Sequence, residues 1–174
     1  MYVCVNDFGK GTTYFQRYLE NDFNGIEKDH GPISAMFTYW MLPDKWKHLG
    51  FLIVKKHHGD INNASDECRI DEVSWDFKKQ IKDILDNTID ELNQIYDKYL
   101  EDKNIEAFLN WLDDESNLKS IKKEFRKKKY NIEDLLLCEY VYSLLLTGDK
   151  SQLIRNDAYI PDKQYPLSFI ENYK

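Results

Sequence analysis

The sequence predicts an all-α fold, a helical bundle. Apolar residues recur at steps of three and four along most of the chain, and the alternating Val, Ile and Thr runs of strands are almost absent. The 174 residues suffice for one domain that buries roughly 70% of the surface its unfolded chain would expose, with little room for two.

Taken in order, a first short helix ends near Gly9, and Gly9-Lys10-Gly11 makes a tight corner. Thr12 or Thr13 caps a second helix that carries Tyr14, Phe15, Tyr18 and Leu19 on one side. Pro32 suits the first turn of a third helix running to about Leu42, which Pro43 and Asp44 end. A fourth carries Trp46, Leu49, Leu52 and Ile53 and reaches His57 and His58, just before Gly59. From Gly59 to Asp71 the composition is that of a loop. A long amphipathic helix then buries Val73, Phe77, Ile81, Leu85, Ile89, Leu92, Tyr96 and Tyr99. Three more fit Ile105 to Leu112, Leu118 to Lys129 and Ile132 to Thr147, the last so apolar that it is expected at the centre of the core. The domain is expected to span 1–155, with 156–174 a tail or linker containing Pro161 and Pro166.

Composition narrows the function. Leu135 to Leu146 is interrupted by Glu139 and is shorter than the roughly 20 apolar residues that cross a bilayer, so no membrane role is expected. Asn6 and Asp7 interrupt any export signal, and three scattered cysteines, Cys4, Cys68 and Cys138, read as reduced thiols of a cytoplasmic protein. The net charge of −7 argues against a general nucleic-acid coat. It conceals a basic run: Lys119, Lys122, Lys123, Arg126, Lys127, Lys128 and Lys129 face only Glu124. Lys122, Lys123, Arg126 and Lys127 are candidates for phosphate contacts, although such a run also serves as a solvated helix face. The four tryptophans, Trp40, Trp46, Trp75 and Trp111, fall at core-like positions rather than as base-stacking platforms.

His30 stands at the start of the third helix and His57 and His58 at the end of the fourth, with Asp7 at the end of the first. Helix ends of an antiparallel bundle can converge, and neutral imidazoles with a carboxylate suit a first-row transition metal. Spacing alone leaves a second reading open, in which His57 and His58 merely terminate a helix and His30 is a surface residue. A phosphate-binding loop at Gly9-Lys10-Gly11-Thr12 is excluded, because no glycine precedes the Gly9-Lys10 pair at the spacing that motif needs.

Four motifs occur in order: Asn6-Asp7-Phe8-Gly9-Lys10, Tyr14-Phe15-Gln16, His30-Gly31-Pro32-Ile33-Ser34-Ala35 and His57-His58-Gly59. Together they resemble the HD nuclease domain of type I CRISPR effector helicase-nucleases, over about residues 1 to 60. A weaker likeness extends to Leu144 to Lys150, similar to the family's late helix that ends in an acidic ligand. The resemblance implies metal-dependent hydrolysis of DNA, single-stranded DNA favoured, in antiviral defence, as an endonuclease or exonuclease. It implies Asp7 as a bridging ligand, His30, His57 and His58 as the rest of one metal position, and Lys10 opposite the scissile phosphate. Asp149 follows as a further ligand, although by its own surroundings it could equally cap a final short helix.

The implied cofactor is divalent Mn, Fe, Co, Ni or Zn, and the implied partners are single-stranded DNA, a separate helicase and the CRISPR effector complex. Two departures qualify this. Asn6 stands where the family has histidine, and Met1 leaves no room for the helix that supplies another, so one well-formed metal position and one impaired position are expected. The alternative is a catalytically inactive derivative that binds the helicase or effector complex. A nucleotide-cleaving HD phosphohydrolase fits less well, because it would lack the aromatic-Gln step.

Overall fold

The computed structural model describes residues 5–59 and 77–154, with side chains through 148. It is all-α, with eight α-helices among the described residues. The chain enters through a 3-10 turn, Val5–Gly11, followed by α1 (Thr13–Leu19), a second 3-10 turn (Ile26–Lys28), α2 (Gly31–Met41) and α3 (Lys47–Lys55). Beyond the undescribed stretch come α4 (Phe77–Asp83), a π-helical segment (Ile84–Thr88), α5 (Ile89–Leu100), α6 (Ile105–Asp113), α7 (Glu115–Lys127) and α8 (Ile132–Ile154). No described helix is long and apolar enough to cross a membrane.

Local signals account for most boundaries. Thr12 caps α1 by accepting from the Phe15 amide at 3.3 Å, Asn104 caps α6 through Ala107, and Asp114 caps α7 through Ser116. Pro32 lies in the first turn of α2, where its missing N–H costs nothing. Phe8, at the centre of the first 3-10 turn, is fully buried and stacks on Phe37 at 4.1 Å between ring centroids, with Phe108 edge-on at 5.4 Å. This aromatic cluster fixes the segment bearing Asp7 and Lys10 to α2.

Several expectations need correction. The first segment is a 3-10 turn that continues through Gly11, so the Gly-Lys-Gly corner is its last part rather than a break after it. α3 ends at Lys55, and His57 and His58 sit in the turn beyond. In the long helix Leu85 is exposed and Ile84 buried, because the π segment inserts a residue and shifts the face presented to the core. Leu100 takes the buried place expected of Tyr99.

The largest correction concerns α8. It is peripheral rather than central: Leu136 is 59% exposed and Tyr140 62%, and among its described side chains only Cys138 is buried, against Leu49 and Ile53 of α3. A helix apolar all round needs cover all round, and here α3 supplies it on one side. α8 also runs unbroken through Gly148 and Asp149, so Asp149 is not the cap of a separate helix. Its side chain lies outside the described residues, as do Asp60 to Asp71, Val73, Trp75, Cys4, Cys68 and the 156–174 tail. Trp40 and Trp111 pack on the core as expected, whereas Trp46 is partly exposed.

Candidate metal centre

The 3-10 turn, the start of α2 and the turn after α3 meet at one point, and the sequence motifs supply the bonds between them. The Gly9 amide donates to Ser34 Oγ at 2.9 Å, tying the turn to α2. Gln16 Nε2 donates to the Lys10 carbonyl at 2.7 Å, tying it to α1. Thr13 donates through its amide and hydroxyl to Asp83 at 2.7 and 2.6 Å, and Asn87 donates to the same carboxylate at 2.9 Å, so α4 anchors the first turn of α1. Asp83 is buried and no sequence motif pointed to it.

At the meeting point His30, His57 and His58 turn their Nε2 atoms toward one another. His30 Nε2 lies 3.2 Å from His57 Nε2 and 3.0 Å from His58 Nε2. Three nitrogens each held about 2.0–2.1 Å from a common metal would stand about 3 Å apart, so the spacing fits a shared ion. His30 and His57 are buried and His58 is exposed, which leaves one side open to solvent. The Val54 carbonyl lies 2.6 Å from His57 Nδ1. That contact places the ring proton on Nδ1 and leaves Nε2 as an electron-pair donor. Burial, then the neighbouring His57, His58 and Lys10, lowers the His30 pKa to about 3, so its ring is neutral and ready to ligate at neutral pH. Phe15 stands edge-on to His30 at 4.7 Å and shields it.

The other expected ligands are placed differently. The Asp7 carboxylate is bound by Lys10 Nζ at 2.7 Å and by Asn6 Nδ2 at 3.1 Å through one oxygen, and it is not among the three converging side chains. The basic run contributes no residue to the triad. Glu124 of α7 pairs with Lys47 at the start of α3 at 3.0 Å, whereas the histidines follow its end, ~13 Å along the axis at 1.5 Å per residue. Lys123, Arg126 and Lys127 are exposed on α7 and Lys122 is half-buried.

One supporting residue escaped the sequence altogether. The Tyr142 hydroxyl of α8 donates to the Lys56 carbonyl at 3.0 Å and meets the Gly59 carbonyl, on either side of His57-His58. The available signal was its place on the late helix, two turns before Asp149.

No protein-family model and no solved structure matches this chain. Part of the chain is similar to the CRISPR-associated nuclease/helicase Cas3 of Haloferax volcanii, 32% identical over 75 residues. The similarity covers 37% of this chain and 8% of that much longer protein, and it relates this stretch to a CRISPR-associated nuclease/helicase.

Proposed function

We propose that the chain is an HD-type, metal-dependent nuclease of a type I CRISPR antiviral system, hydrolysing phosphodiester bonds in single-stranded DNA in the cytoplasm. The observation that carries this reading is the convergence of three Nε2 atoms, from His30, His57 and His58, within a unit bonded together by the four ordered motifs. When bound there, divalent Mn, Fe, Co, Ni or Zn supplies Lewis-acid stabilisation of phosphodiester charge and activates water. The chain's own residues bind and orient. The three imidazoles would hold the metal, the Phe8 anchor fixes the turn that bears Asp7 and Lys10 against α2, and Lys10 would offer a fixed positive charge to the scissile phosphate.

Asp7 and Asp149 are assigned to a second, poorer metal position, because Asn6 provides an amide where an imidazole is a far better ligand. Lys122, Lys123, Arg126 and Lys127 are assigned to backbone contacts with the strand away from the cutting site. Residues 1–155 form the nuclease module and 156–174 its tail or linker. A separate helicase and effector complex would deliver the unwound strand, as the similarity to a nuclease/helicase suggests.

A non-catalytic, partner-binding derivative is the second reading. Its support is that one Asp7 oxygen is already engaged by both Lys10 and Asn6. Protein incubated with Mn, Co or Ni and labelled single-stranded DNA separates the two. The expected result is cleavage that His57→Ala and Asp7→Ala remove, with about one ion per chain by metal analysis, lost in His57→Ala. Cleavage that survives Asp7→Ala overturns the assigned site, and metal binding without cleavage favours the partner-binding reading.

A further inference from the structure

The two metal-facing histidines that follow α3 lie in a short turn outside any helix, so their rings are only as well placed as that turn. Within it the Lys56 amide donates to the Leu52 carbonyl, and the Gly59 amide donates to the Lys56 carbonyl at 2.8 Å. Among the contacts that hold this turn from another element, one comes from α8. The Tyr142 hydroxyl reaches the Lys56 carbonyl at 3.0 Å and the Gly59 carbonyl beside it, and so spans the His57-His58 pair. α8 otherwise meets α3 through the small cluster of Leu49, Ile53 and Cys138, more than a turn of α8 away from Asp149.

We propose that Tyr142 is a positioning residue for the metal centre, clamping the His57-His58 turn from α8 and tying the seating of that helix to metal affinity. The inference rests on the metal-centre reading given above and adds a residue that the ligand set does not contain. Its physical basis is that outer partners fix ring orientation, and a ligand whose backbone is free must surrender that freedom on binding. Phenylalanine at 142 keeps the ring and its packing while removing the hydroxyl that reaches the carbonyls. The exposed Tyr140 on the same helix is the matched control, because Tyr140→Phe deletes the same hydroxyl from a position that faces solvent.

The experiment uses the full chain and cobalt(II) alone as probe. Tyr142→Phe is expected to bind cobalt about tenfold more weakly, the lower end of what loss of a ligand's supporting partner produces, with an altered visible absorption band. Tyr140→Phe should match the parent in both. In metal-free protein, nitrogen-15 NMR of the imidazoles should show the His57 and His58 ring signals shifted or broadened by Tyr142→Phe and unmoved by Tyr140→Phe. Cobalt affinity, spectrum and metal-free ring signals that all equal the parent's would overturn the clamp. If the parent and His57→Ala bind cobalt alike, the metal-centre reading fails instead, and the metal-free ring signals still decide whether Tyr142 positions the turn.

Discussion

Gly9 shows how a single position sets the candidate centre. A Cβ added there would fall 2.5 Å from Ile33 Cγ2, 2.7 Å from the His30 carbonyl oxygen and 2.8 Å from His30 Cα. Two of these are backbone atoms of the very residue that bears one ring of the histidine cluster, so nothing flexible can give way. No described glycine has a positive φ; Gly9 is needed for closeness, not for conformational freedom. Gly9→Ala should therefore cost about 1–3 kcal/mol of stability, as overpacking a tight contact does, and weaken metal binding in step. Denaturant unfolding and cobalt titration measure the two, and an unchanged midpoint would mean that the 3-10 turn has another seat on α2. The sequence marked Gly9 as a corner residue, correctly in place but for a different physical reason, because chain proximity between residues 9 and 30 is invisible in one dimension.

At the scale of elements, the helix from Phe77 to Leu100 shows what periodicity can and cannot tell. Its existence was legible from steps of three and four, yet the π segment Ile84–Thr88 rotates the second half relative to the first, exchanging Leu85 for Ile84 at the core. Asp83 sits immediately before that segment, buried and accepting from Thr13 and Asn87. Removing its carboxylate strands a half-buried amide and hydroxyl at the start of α1. Asp83→Ala should lower stability by about 2–3 kcal/mol, and Asp83→Asn, which keeps one acceptor, by less. Equal losses in the two variants, measured by thermal unfolding with calorimetry, would assign the effect to packing rather than to hydrogen bonding. α8 teaches the opposite lesson to Asp83. Its apolar run predicted burial, but an apolar sequence states what a helix can bury and not how many neighbours it will find.

For the molecule as a whole, acid sensitivity has a source far from the metal centre. His48 of α3 is buried, with neither ring nitrogen hydrogen-bonded, and Glu124 of α7 stands 3.7 Å away, beyond hydrogen-bond reach. Tyr39 of α2 and Phe125 of α7 face its ring edge-on. Burial first, then Lys47 and Lys128, hold its pKa below 6.5 against the opposing pull of Glu124 and Asp44. The unfolded chain therefore takes up a proton near 6.5 that the folded chain refuses. The stability this represents is present above that value and is lost as pH falls below it. His48→Leu, assayed with chelator present, should show a smaller drop in unfolding temperature between about pH 7.5 and 5.5 than the parent. Identical slopes would remove His48 as a contributor.

The sequence by itself determined the helical class, a cap at Thr12 or Thr13, the place of Pro32 in a first helical turn, and the four motifs whose residues turn out to bond to one another, Gly9 to Ser34 and Gln16 to Lys10. These are local or pattern properties, written in residue type and spacing. Tertiary structure alone decided that the three histidines aim the same nitrogen at one point. It also decided that Glu124 of the basic helix pairs with Lys47 at the start of α3, and that Tyr142 reaches the His57-His58 turn. Each of those outcomes depends on which helices pack together and at what rotation, and residues 27 to 86 positions apart carry no mark of that in their order.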